Sequence, residues 1–132
     1  MDRRLFLTGL TGLAFAPFAP IAAEAASWVL LGTRRVRAIA DHDRIAVGSG
    51  AGAFNAIRLK VRGNDLLLYD LDIRFANGSH QNVHTRLFIP QGGLTRIIDL
   101  DGTDRKIRSV AFTYGKPINW RGSTYVELWG RR

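Results

Sequence analysis

Asp70 and Asp72 stand two residues apart in the run LLLYDLDIRF. On a β-strand that spacing points both carboxylates the same way, and paired carboxylates can do acid and base work on a glycosidic bond. Two other groupings invite a chemical reading. His80 and His84 are four apart, the spacing that makes a metal pair on a helix. On a strand the same two rings share a face but lie about 13 Å apart, too far for one ion. Asp41-His42-Asp43 is the better metal candidate, since it offers oxygens and a ring nitrogen in one short segment. The reading preferred is a polar turn leading into Arg44-Ile45-Ala46-Val47, with no metal site expected.

Gly48-Ser49-Gly50-Ala51-Gly52-Ala53-Phe54 has the glycines of a phosphate loop but lacks its lysine and hydroxyl, and no helical pattern follows. It is expected to be a turn or a bulged edge. The loop Tyr114-Gly115-Lys116-Pro117-Ile118-Asn119-Trp120-Arg121-Gly122 mixes rings with cations between two late strands. Tyr114, Lys116, Trp120 and Arg121 form a candidate ligand site, with Trp120 stacking on a sugar and the cations holding an anion. The other reading is that Trp120 folds back to cap the open end of the core.

The elements that must position these residues are strands. Beyond Ala26 no sustained helical period occurs, and period-two alternation repeats between glycine and asparagine turns. Strands are expected at 28–31, 34–39, 44–47, 54–61, 66–75, 81–89, 95–100, 107–114 and 124–129. The fold class is all-β: an antiparallel β-sandwich of about eight strands, jelly-roll-like, with its first and last strands adjacent. Its inner face is expected to hold Ile57, Leu59, Val61, Leu67, Tyr69, Leu71, Ile73, Phe75, Val83, Leu87, Val110 and Phe112.

Matching apolar faces sets a register, because a slip of one residue turns a whole strand over. A hairpin through Gly63-Asn64-Asp65 places Ile57 opposite Leu71 and Arg58 opposite Asp70. A second, through Asn77-Gly78-Ser79, places Ile73 opposite Val83, Asp70 opposite Arg86 and Asp72 opposite His84. The expected outcome is a structural charge ladder, Arg58 to Asp70 to Arg86, beside the pair Asp72–His84. Asp99 and Arg105 are expected to pair across the turn Asp101-Gly102-Thr103-Asp104.

The N-terminus reads as an address. MDRRLFLTGLTGLAFAPFAP places Arg3 and Arg4 before an apolar run of about fifteen residues, too short to span a bilayer comfortably. Ala23-Glu24-Ala25 offers small residues at the positions that a signal peptidase reads. Residues 1–25 are therefore expected to be a cleavable signal peptide and 26–132 one β-sandwich domain, not membrane-spanning after cleavage. Arg3-Arg4-Leu5-Phe6-Leu7 is similar to a twin-arginine export signal, with the general secretory route as the alternative. The expected location is the periplasm or beyond it.

The chain is basic, with a net charge of +8, and loss of Asp2, Arg3, Arg4 and Glu24 leaves that unchanged. Arginine supplies nearly all of it, and its planar fork suits carboxylate and phosphate. There is no cysteine, which excludes disulfides, thiolate chemistry and a lipid anchor on cysteine.

Several segments together carry a family likeness. They are Trp28-Val29-Leu30-Leu31-Gly32, Ile57-Arg58-Leu59, Leu71-Asp72-Ile73-Arg74-Phe75, Gly93-Leu94-Thr95-Arg96-Ile97-Ile98-Asp99-Leu100, Val110-Ala111-Phe112-Thr113-Tyr114 and Val126-Glu127-Leu128-Trp129-Gly130. This pattern resembles small exported bacterial proteins of unassigned function, the YaaI-like domain-of-unknown-function family. The resemblance implies an envelope location and a β-sandwich, and brings no catalytic residue with it.

The functional expectation is a non-enzymatic module binding an anionic glycan, a lipid headgroup or an envelope protein, without cofactor and without nucleic acid. One alternative is a small hydrolase using Asp70, Asp72 or the Asp41 cluster. The other is a structural subunit of an envelope assembly joined through sheet edges.

Overall fold

The computed structural model describes residues 27–37, 41–115 and 120–132. The segment expected to be the signal peptide, residues 1–25, lies outside them, as does its expected cleavage point. Among the described residues there are nine strands: β1 (Trp28–Val36), β2 (His42–Ala46), β3 (Ala53–Phe54), β4 (Ala56–Arg62), β5 (Leu66–Phe75), β6 (His80–Ile89), β7 (Ile98–Asp99), β8 (Arg105–Gly115) and β9 (Thr124–Arg131). One sheet runs β1-β9-β4-β7; the other runs β2-β8-β5-β6, with β3 also pairing β8. Each described ladder is antiparallel. The chain passes from sheet to sheet at nearly every connection, and only β5 and β6 are consecutive strands that pair. That path is a jelly-roll sandwich. The first and last strands lie side by side, Trp28 opposite Arg131.

The alternation in the sequence decides which face is buried. Ile57, Leu59 and Val61 of β4 and Val126 and Leu128 of β9 are wholly buried against Leu66, Leu68, Leu71 and Ile73 of β5 and Val110 and Phe112 of β8. Each such side chain contributes about 1.5–3 kcal/mol on burial.

Three expectations change. First, β4 and β5 do not form a hairpin. Gly63-Asn64-Asp65 is an arch between the two sheets, so Arg58 and Asp70 lie in different sheets and do not pair. The arch needs glycine at 63: φ is +98°, and a Cβ there would fall on the carbonyl oxygen of Ser123. Asn64 ties the arch down, with Nδ2 donating to the Arg121 carbonyl (2.9 Å) and to Thr124 Oγ1 (2.7 Å), and Oδ1 accepting from Arg121 N–H (3.0 Å). Thr124 is fully buried. Asn64→Ala is expected to cost about 1–3 kcal/mol, since it leaves these partners unmatched; urea unfolding at neutral pH measures it.

Second, the β5–β6 register is two residues away from the expected one. The three-residue loop is Ala76-Asn77-Gly78: Gly78 N–H donates to the Phe75 carbonyl (3.0 Å), and Gly78 has φ +92°. Leu71 therefore faces Val83, Asp70 faces His84 and Asp72 faces Asn82. A shift of two leaves every side chain on its own face, so matching of apolar faces cannot distinguish the two registers. Third, the ladder is irregular between Leu68 and Asp70, making Tyr69 an extra residue on β5. The bulge reverses the alternation on its N-terminal side. Leu66 and Leu68 are buried, while Leu67 and Tyr69, both expected inside, turn outward, Tyr69 to 41% exposure.

The strand expected at 95–100 shrinks to the two residues of β7 and a single bridge between Lys60 and Leu94. Thr95 explains the interruption: its hydroxyl accepts the Leu59 N–H (3.0 Å) and donates to the Arg96 carbonyl (2.9 Å). Asp99 and Arg105 do not pair. Arg105 donates to the Asp101 carbonyl (2.6 Å) and Ser79 Oγ (3.0 Å), and Asp99 lies 3.5 Å from Arg131.

Candidate functional site

The outward face of β1-β9-β4 collects rings and cations in rows. Because Ile57, Leu59 and Val61 point inward, Arg58, Lys60 and Arg62 point outward from β4. On β9 the inward Val126 and Leu128 leave Tyr125, Glu127, Trp129 and Arg131 on the outside. Register sets Arg58 beside Trp129 and Leu30, Lys60 beside Glu127 and Thr33, and Arg62 beside Tyr125 and Arg35.

Within this face the Arg58 guanidinium sits 4.1 Å from the centre of the Trp28 ring, with Arg131 5.7 Å from the same ring. The Arg62 guanidinium lies 4.9 Å from the Tyr125 ring. Glu127 holds the arrangement together: one carboxylate oxygen accepts from Arg62 Nε (2.6 Å) and the other from Trp129 Nε1 (3.0 Å). Arg131 Nε donates to Asn55 Oδ1 (2.8 Å). A hollow of about 360 Å³ opens between Trp28, Arg58, Lys60, Gly92, Leu94 and Trp129. Leu30 and Leu94, each 46% exposed, add apolar surface beside it. Arg58 Nε is buried here without a hydrogen-bond partner among the described residues. Five cations (Arg35, Arg58, Lys60, Arg62, Arg131) thus share the face with two carboxylates, Glu127 and Asp99. Guanidinium forks accept planar oxyanions in two-point contact, and indole faces stack on the apolar face of a sugar ring or on a cation.

The residues singled out from sequence fall in three places. Tyr114 and Trp120 meet, their rings parallel within 10° at 6.4 Å. Trp120 packs against the core and donates its indole N–H to the Asp65 carbonyl (2.7 Å), so it closes one end of the sandwich. Arg121 is exposed, its backbone bound to Asn64. Lys116 lies outside the described residues. A hollow of about 340 Å³ borders Trp120, with Arg35, Val36, Arg37, Gly122 and Ser123.

Tyr114 donates to Asp43 Oδ2 (3.0 Å) and to the Arg37 carbonyl (3.3 Å). Burial, then the hydrogen bond and charge of Asp43, push its phenol from 10.0 up to about 12. A raised phenol pKa means that the native state keeps its proton while the unfolded chain loses it. The resulting stability is complete below pH 10 and is lost as pH climbs towards 12. Urea unfolding across that range should show a steeper decline for the native chain than for Tyr114→Phe, with a difference of at most about 3 kcal/mol.

Asp41, His42 and Asp43 do not converge as a metal site. Asp41 and His42 pair with each other (2.8 Å), which holds the Asp41 carboxyl below its usual range. Asp43 turns away to Arg34, whose Nε and Nη2 both lie 3.0 Å from Oδ1, and to Tyr114. The strand pleat sends neighbouring side chains to opposite faces, which separates Asp43 from His42. No group of three or more His, Asp or Glu side chains among the described residues is placed to hold a metal ion.

The expected charge ladder is replaced by cross-strand pairs on the other sheet. Asp70 lies 3.1 Å from His84 and accepts from Asn82 (3.1 Å); Asp72 lies 3.1 Å from His80. Arg86 instead rests 5.9 Å from the Tyr69 ring. The two-residue register difference and the jelly-roll path account for every changed partner.

Apart from Arg58, expected in the charge ladder, the sequence alone does not single out the rings and cations of the β1-β9-β4 face as a site. The signal is present as Arg58-x-Lys60-x-Arg62 and Tyr125-x-Glu127-x-Trp129-x-Arg131, two alternating runs. Each reads alone as an ordinary solvated strand face; only the pairing of β4, β9 and β1 joins them.

By class, then, this is an antiparallel jelly-roll sandwich with a cationic, aromatic outer face on one sheet. The chain belongs to the family described as a domain of unknown function (DUF2541), which matches residues 6–130. No curated protein matches it. It is similar to a solved structure of Pseudomonas aeruginosa AlgX, at 16% identity and a TM-score of 0.46, over 78% of this chain and 26% of that one. The chain spans about a quarter of that protein's length. No helix among the described residues is long and apolar enough to cross a membrane.

Proposed function

We propose that this chain, YaaI-like in its strand and glycine segments, is an exported, non-enzymatic binding module of the bacterial envelope. Its signal would be the N-terminal address, through the twin-arginine or the general secretory route, and its location the periplasm. Its ligand is an anionic glycan taken on the outer face of β1-β9-β4. The observation that carries this reading is Arg58: a guanidinium set against Trp28, at the wall of a hollow shared with Lys60 and Trp129, with a buried Nε that has no hydrogen-bond partner among the described residues. At the wall of that hollow the guanidinium can present its fork to an oxyanion in charge-assisted hydrogen bonds.

Calorimetric titration of the full mature chain with oligogalacturonate, against neutral cello-oligosaccharide, tests the reading. Binding of the acidic oligomer that weakens at high salt, with none of the neutral one, supports it. Equal binding of both, or of neither, refutes it. A lipid headgroup as the true partner would appear as binding to anionic vesicles in place of the oligomer.

A further inference from the structure

Resting on that reading, we infer that the ligand is an extended acidic polysaccharide chain laid along β4 and β9, gripped at two separate arginine–aromatic clamps, and not a single anionic sugar. The first clamp is Arg58 with Trp28 and Trp129. The second is Arg62 with Tyr125, which stand opposite each other in register with the guanidinium 4.9 Å from the ring. The clamps are four residues apart on both strands, so about 13 Å separates them. One sugar residue covers one clamp; a chain of several is needed to touch both.

Lys60 fills the interval. It stands about 6.6 Å from each arginine along β4, giving three cations in a line at alternate positions. Its register partner is Glu127, but the Glu127 carboxylate is already taken by Arg62 and Trp129. No carboxylate among the described residues forms an ion pair with Lys60. A line of cations, with its one internal carboxylate committed, complements a polymer carrying a negative charge on successive units. The rings at either end suit the sugar faces between those charges.

The experiment is titration of the full mature chain and its Arg62→Ala variant with galacturonic acid and oligogalacturonates of increasing length. Two sites joined by one ligand gain affinity as soon as that ligand bridges them. Affinity should therefore rise steeply with length until the oligomer bridges both clamps, then level off. Arg62→Ala should weaken the longest oligomer about tenfold or more and the shortest binder far less, since a short ligand needs only the Arg58 clamp. Arg62 is half exposed, so the variant is expected to fold, and Tyr125→Leu gives an independent test of the same clamp. Affinity independent of length, or long-oligomer binding unaffected by both variants, overturns the two-clamp inference and leaves the binding face standing. Failure to bind any length removes the anionic-glycan reading itself.

Discussion

Replacing Arg58 with methionine is expected to weaken binding of an acidic oligosaccharide by about ten- to a hundredfold while leaving the fold as stable as before, or more so. The two effects come from different parts of one guanidinium. Hydrogen bonds from a charged donor to a ligand are worth about 1.5–3 kcal/mol, which is the quoted loss of affinity. The same guanidinium has a buried Nε with no hydrogen-bond partner among the described residues. Methionine keeps much of the packing against Trp28 and removes that unmatched donor, so desolvation no longer opposes folding. Arg58→Lys separates charge from shape: it keeps the cation and loses the planar fork, so it should fall between the native chain and the methionine variant. Titration calorimetry gives the affinities and urea unfolding the stabilities. Native affinity in Arg58→Met would remove this arginine from the site. A large drop in stability would show that it serves the fold instead.

Gly63→Ala is expected to be the most damaging single change in the described chain. Two penalties coincide. A φ of +98° is strained for any residue with a side chain, at about 1–3 kcal/mol. The added Cβ would also fall on the Ser123 carbonyl oxygen, a backbone atom that no rotamer change can move aside, which adds about 1–3 kcal/mol. Native domains hold only about 5–15 kcal/mol in total, and each kcal/mol lowers the melting temperature of a domain this size by about 4–8 °C. The variant should melt at least 10 °C lower or fail to fold. Gly78→Ala is the matched control, with φ at +92° and nothing within 4 Å of the added Cβ. It should lose only the first penalty. Thermal unfolding of both variants measures the difference; equal losses would mean that the approach of Ser123 to the arch has no energetic consequence.

The same arch shows where sequence reasoning stops. Period-two alternation made the strands legible, and the boundaries expected for 66–75 are those of β5. The sandwich class followed from the number and spacing of such runs. Which strands are neighbours did not follow. Gly63-Asn64-Asp65 has the composition of a hairpin turn, and the contact that makes it an arch comes from Ser123 and Thr124, about sixty residues away. Parity of apolar residues then agreed with a wrong register at the second turn, because it repeats every two residues. At Tyr69 a single extra residue reversed the pattern without any local signal, putting Leu67 and Tyr69 outside. The candidate site suffered most, since Trp28, Arg58 and Trp129 come from three strands brought together by long-range pairing alone. Loop chemistry drew attention to Trp120, whose indole N–H is committed to Asp65.

One pairing has a bearing on how the molecule is made. β1 finds its ladder partner in β9, and β9 is also the strand between β1 and β4. During synthesis β1 has no ladder partner among the described strands until the eight-residue β9 has emerged. Contacts of such high sequence separation fold slowly, because the loop between them must be closed first. This sheet therefore cannot close before β9 has been made, and only then do its cations and rings come together in rows.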